Sequence, residues 1–128
     1  ARSILRLRYY LEAPALRDLA ASHTPADLDT LRALQRQAEE APDTAALAQA
    51  LFRYHRGVTF LSGNTITPLL FNAFKKVNLE FWSGYIRSVG REESLRTLAR
   101  FTDLIAAGQG DQAARLLDDG LRRFVTTL

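Results

Sequence analysis

The chain has 128 residues, 47% of them hydrophobic and 24% charged, which suits one domain with a continuous core that needs no metal or disulfide staple. It contains no cysteine, so a disulfide framework, a thiolate metal site and a thiol nucleophile are all excluded. The formal charge of +3 comes from 17 basic residues interleaved with 14 acidic ones, a pattern without the basic block expected of a nucleic-acid surface.

From about Ser3 to Ser22, apolar residues at Ile4, Leu7, Leu11, Leu16 and Leu19 keep helical spacing. Pro14 removes a backbone donor and crowds the preceding turn, so this helix is expected to bend or break near Glu12. Thr24, Pro25 and Asp27 then form a start signal: a capping hydroxyl, a proline at the first helical position and an acid in the positive first turn. The second helix turns Leu28, Leu31 and Leu34 inward and frays near Ala41. Pro42 and Asp43 separate it from the third, whose stripe runs Leu47, Leu51, Tyr54, Val58 and Leu61. Gly63 can take the left-handed conformation that ends that helix, and Asn64 can accept from the first free amides of the next.

The fourth helix is expected to run unbroken from after Asn64 to Val89, on Leu70, Phe74, Val77, Phe81 and Tyr85, with Pro68 harmless in its first turns and Gly90 closing it. Leu95, Leu98, Phe101 and Ile105 carry a fifth helix to Gly108. Asp111 can cap a sixth, on which Ala114, Leu117, Leu121, Phe124 and Val125 form the apolar face. No segment alternates with a period of two between turns. The fold expected is all-α, an antiparallel bundle of about six helices, in a single domain over residues 1–128 without repeats or low-complexity linkers. No apolar run approaches the roughly 18 residues of a membrane span, and the N-terminus has no signal pattern, which points to a cytoplasmic protein without membrane contact.

The catalytic inventory is thin. Only His23 and His55 exist, no serine sits at a strained elbow, and no glycine-rich loop follows a strand. The carboxylate pairs Asp118–Asp119 and Glu92–Glu93 read as surface and helix-start groups, so no catalytic residue is nominated. His23, just before the Thr24 cap, reads as an exposed loop residue.

His55 flanks the apolar stripe of the third helix, either as a satisfied core residue or as a ligand. A metal there would want a carboxylate one turn earlier, where Leu51 stands. Asn72, Asn78, Trp82 and Tyr85 lie on or beside an aromatic-rich face of the fourth helix, and buried amides need partners. They fit either helix-to-helix hydrogen bonding or a pocket, apolar along Phe74 and Phe81, with polar groups that orient a ligand. Arg122 either faces the same space or is solvated. Arg2, Arg6 and Arg8 at the N-terminus, with Lys75 and Lys76, read as solvated surface or as groups that meet an anion.

The segment FRYHRGVTFLSGNTITPLLFNAFKK, followed by GQGDQAARLLDDGLRRF, resembles the effector-binding and dimerisation domain of GntR-family transcriptional regulators, in the FadR subfamily. The likeness runs from LRYYLEAPALRDLAA through the last helix. It implies a bundle of six or seven helices enclosing an effector pocket, a homodimer, and no enzymatic activity. It also implies that DNA is reached only through a winged helix-turn-helix domain that this chain, starting directly in the first helix of the effector domain, does not contain. Many members of the subfamily hold a divalent metal with one aspartate and three histidines. Here His55 falls on the first histidine position, while the others fall on Leu51, near Ala99 or Arg100, and at about Arg122. The resemblance therefore implies the metal-free, cofactor-free branch and an effector such as an acyl-CoA or another amphipathic acid. Candidate effector contacts are Arg8, His55, Asn72, Asn78, Trp82, Tyr85 and Arg122.

Overall fold

The computed structural model describes the backbone of residues 2–127 and the side chains of residue 3 and residues 5–122. Within those limits the chain forms seven helices and no strand: α1 (Arg2–Ala21), α2 (Pro25–Glu39), α3 (Thr44–Leu61), α4 (Thr67–Ala73), α5 (Lys75–Val89), α6 (Arg91–Ala106) and α7 (Gly110–Thr127). The expected apolar positions Ile4, Phe124 and Val125 lie outside the described side chains.

Local chemistry sets most of the boundaries. Thr24 and Asp27 exchange hydrogen bonds in a capping box, with Pro25 at the helix start. Asp43 accepts from the Ala46 amide and caps α3. At its far end Gly63 turns the chain with φ of 91°, and the Asn64 side chain accepts from the amides of Ile66 and Thr67. Gly90, with φ of 90°, separates α5 from α6. Asp111 does not cap: α7 starts at Gly110, and the Asp111 carboxylate inside its first turn accepts from Arg17 Nε at 3.0 Å.

The first helix is not broken at Pro14, which sits on the exposed side, where water can reach the carbonyl that proline leaves unpaired. A helix held along its length by α7, α3 and α6 offsets the local penalty. The expected long fourth helix is instead two, interrupted at Phe74 (φ −106°, ψ 25°). There the Phe74 carbonyl accepts both the Asn78 backbone amide at 2.9 Å and the Asn78 side-chain amide at 3.1 Å. Of the stripe expected there, Phe81 and Tyr85 are buried, while Phe74 and Val77, at and just after the break, are exposed and line no interior wall.

The centre of the molecule is α3, which touches α1, α2, α4 and α5. Leu47, Leu51, Tyr54 and Val58 on α3 are fully buried with Leu16 and Leu19 of α1, Leu31 of α2, and Leu98 and Ile105 of α6. The stripe expected on α1 holds at Leu16 and Leu19 but not in the first turns of the helix. Leu7 is 38% exposed, whereas Leu5, Arg8, Glu12, Leu16 and Leu19 are buried. Two charged side chains therefore enter the core.

Candidate functional site: a buried charged cluster beside a groove

Arg8 and Glu12 are one turn apart on α1, and both are sequestered at 3% and 0% exposure. The Arg8 Nη2 donates to Glu12 Oε1 at 3.2 Å. From α3, His55 Nδ1 donates to the other carboxylate oxygen, Glu12 Oε2. One carboxylate is thus shared between a guanidinium and an imidazole. Burial alone would raise the Glu12 carboxyl, but the charge and hydrogen bonds of His55 and Arg8 outweigh that and hold it below the ordinary carboxylate range. Burial lowers the His55 imidazole despite its carboxylate neighbour, and burial likewise lowers Arg8. At neutral pH the consistent state is Arg8 charged, Glu12 ionised and His55 neutral with its proton on Nδ1, which balances the buried charge; the imidazole gains the charge that depresses Glu12 only as pH falls. His55 Nε2 is then a hydrogen-bond acceptor.

Aromatic rings of α5 and α6 wall this cluster. Trp82 stacks on His55 with centroids 4.7 Å apart at 18°, and Phe101 meets the imidazole edge-on at 5.3 Å. The Arg8 guanidinium carbon lies 4.4 Å from the Trp82 ring centre and 5.0 Å from that of Phe81, so its charge is met by two π faces as well as by Glu12. Tyr85 packs edge-on against Trp82 at 5.5 Å. Behind His55, the buried Tyr54 hydroxyl and Thr102 Oγ1 share a hydrogen bond of 2.7 Å; burial raises the phenol, which stays neutral.

Beside His55 and Trp82 lies a small cavity of about 30 Å³, lined chiefly by Leu51, Phe81, Leu98, Phe101, Leu117 and Leu121. An open groove of about 990 Å³ adjoins it between α5, α6 and α7, and carries Glu93, Arg96, Arg100, Asp103 and Asp119. Cavity and groove share Tyr85, Thr97, Leu116 and Gly120, which form the mouth between them.

Of the residues nominated from sequence, the fold brings Arg8, His55, Trp82 and Tyr85 into one cluster, with Asn78 buried one turn before Trp82 on α5. It leaves two elsewhere. Asn72 is exposed on the short α4 and accepts from Arg56 Nη1 at 2.9 Å. Arg122 is exposed and donates to Asp118 at 2.9 Å, one turn back on the solvent side of α7. His23 is half-buried, its Nδ1–H donating to the Leu19 carbonyl at 2.9 Å and so ending α1. The residue that sequence reasoning missed is Glu12. The available signal was the i, i+4 pair Arg8–Glu12, which reads as an ordinary surface pair until α1 is seen to turn it inward.

The described residues thus form an all-helical bundle with a charged, aromatic-walled interior. Residues 3–123 match the family profile of the FCD domain, and the chain belongs to that family: the regulatory, effector-binding domain of GntR-type transcription factors, not an enzyme family. No curated protein matches the sequence as a relative. No helix among the described residues is long and apolar enough to cross a membrane.

The donor set does not fit the divalent metal held by many such domains. The position one turn before His55 is the buried Leu51, Arg100 and Arg122 are exposed cations, and the carboxylate next to His55 is engaged by its Nδ1 and by Arg8. Among the described residues no group of three or more histidine, cysteine, aspartate or glutamate side chains is placed to hold a metal ion.

Proposed function

We propose that this domain senses an amphipathic organic acid, an acyl-CoA or another carboxylate-type metabolite, without a metal. Binding controls operator recognition by a DNA-binding domain attached to it in a cytoplasmic homodimeric regulator. The observation that carries this reading is that the groove and the internal cavity beside His55 and Trp82 share Tyr85, Thr97, Leu116 and Gly120. The apolar part of an effector would enter past Gly120 and enlarge the cavity by parting α5 from α6 and α7, while Arg96 and Arg100 meet an anionic portion outside. The cluster of Arg8, Glu12 and His55 ties α1 to α3, so a ligand that displaces Trp82 also moves the contacts of α1. That differential contact is what an effector needs in order to shift a conformational equilibrium.

Gly120 provides the test. A Cβ added there meets no atom within 4 Å, so Gly120→Leu starts its side chain in open space at the mouth and removes a helix-weakening glycine, a gain of about 1 kcal/mol. Thermal-shift screening with decanoyl-CoA and a panel of organic acids should stabilise the wild type and not the variant. Equal shifts in both would show that the mouth is not the route.

The volume of about 30 Å³ favours a second reading, a structural dimerisation module whose interior never opens. In that case no effector raises the melting temperature of either protein, and the protein is a dimer throughout.

A further inference from the structure

Five of the seven large apolar side chains that the described residues leave exposed lie close together in the chain: Phe60, Ile66, Leu69, Phe74 and Val77. Contacts between helices gather this stretch on one surface. Arg56 of α3, one turn before Phe60, donates to Asn72 of α4, one turn after Leu69, and Lys75 at the start of α5 lies 5.8 Å from the ring centre of Phe52, one turn before Arg56. Helix α4 buries only Thr67 and Phe71, and leaves Leu69 and its N-cap Ile66 exposed. Charge is as uneven here as hydropathy. From Thr44 to Leu79 there is no aspartate or glutamate, whereas Arg53, Arg56, Lys75 and Lys76 all fall in that stretch. Those four exceed the +3 of the whole chain, so every other position together is net negative. The first acid after the stretch is Glu80, one turn past Lys76. Arg53 donates to Gln49, Arg56 to Asn72, and Lys75 lies over Phe52, so the groups that hold these cations are neutral. None of the five apolar side chains lines the cavity beside His55 or the groove between α5, α6 and α7.

An exposed apolar patch with a polar rim marks an interaction surface, and its charge decides the partner. A second copy meeting this face across a two-fold axis would set four cations against four, with only Glu80 near them along α5 to receive any. A partner's helix needs a groove to lie in, whereas Phe60, Ile66 and Leu69 stand out at 65–69% exposure. A nucleic-acid backbone would meet the cations and strand the apolar side chains between them. We infer that the end of α3, α4 and the start of α5 dock on an anionic lipid surface. Phe60, Ile66, Leu69 and Phe74 enter the boundary between headgroups and acyl chains, while Arg53, Arg56, Lys75 and Lys76 meet lipid phosphates. This contact is peripheral, so it does not require a helix able to cross the bilayer.

Co-sedimentation of the intact domain with vesicles tests this, using phosphatidylcholine and phosphatidylglycerol in equal parts against phosphatidylcholine alone. The wild type should bind the mixed vesicles at least about tenfold more tightly, and less tightly as salt is raised. Lys75→Gln with Lys76→Gln should weaken that binding by about fivefold for each charge removed. Phe60→Ser with Leu69→Ser should weaken it at least about tenfold. The chain has no cysteine, so Leu69→Cys and, at the exposed start of α7, Gln112→Cys each take one environment-sensitive label. The label at 69 should brighten on the mixed vesicles and the label at 112 should not. No binding to the mixed vesicles, equal binding to both kinds, or full binding by folded Phe60→Ser/Leu69→Ser would each overturn the proposal, as would brightening at 112 alone. Sedimentation velocity supplies the last check: if that double variant turns a dimer into a monomer, the face belongs to a second copy and the lipid proposal fails. The wild-type comparison of vesicles does not depend on any variant folding.

Discussion

Replacing Glu12 with leucine probes the centre of the molecule most directly. Glu12 is fully buried, and its carboxylate is the counter-ion of Arg8 and the acceptor of His55 Nδ1–H. In Glu12→Leu the guanidinium keeps its charge at 3% exposure, and its Nη2 joins Nε and Nη1 without an acceptor. Breaking a buried pair by removing one partner costs about 3–5 kcal/mol, which for a domain of this size lowers the melting temperature by roughly 10–20 °C. The cause is the stranded charge rather than lost attraction, so a second substitution should rescue the first. Arg8→Met in the Glu12→Leu background removes that charge and should recover about 2 kcal/mol, leaving a deficit from the unpartnered His55 N–H. Urea denaturation of wild type, both single variants and the double variant closes the cycle, provided that the slopes agree. The reasoning fails if Glu12→Leu falls within about 1 kcal/mol of wild type, or if the double variant loses the sum of the two single losses.

Stability should decline on acidification in two stages. Burial holds His55 below its ordinary 6.5, so the unfolded chain takes up that proton first and stability falls below pH 6.5, by up to about 1.4 kcal/mol per pH unit. Glu12 is held below its ordinary 4.5, so its contribution is complete above that value and is lost as pH falls through its lowered folded value. Melting curves taken from pH 8 to well below pH 4 should show both stages, and His55→Gln should remove the first; a flat profile in the wild type contradicts the buried triad. Gly110→Ala should destabilise by about 1–3 kcal/mol, because the new Cβ would lie 2.7 Å from the Arg17 Cα and force α7 off α1; a neutral effect in urea would mean that the two helices are not so closely apposed.

Much of this architecture is local and therefore legible in the chain. The capping box of Thr24 and Asp27, the Asn64 cap and the turn at Gly90 are read from residue types alone, because each satisfies backbone groups a few positions away. Periodicity likewise located the buried leucines of α3 and α6. Pro14 does not break α1, because the penalty of a proline depends on whether the freed carbonyl faces water, and that is set by how the helix is rotated in the bundle. Asn72 and Arg122 were nominated by residue type, and side-chain neighbours one or two turns along the chain, or on the next helix, claimed them instead.

The sequence by itself determined an all-helical chain, most of its helix ends and, through the stretch around RGVTFLSGN, its family. Only the tertiary structure decided that the core is charged. Forty-three positions separate Glu12 from His55, and whether a carboxylate and an imidazole so far apart meet in a hydrogen bond depends on the rotation of α1 about its axis. A hydrophobic pattern cannot report that rotation, since the inward face of α1 uses Arg8 and Glu12 where leucine would have announced it.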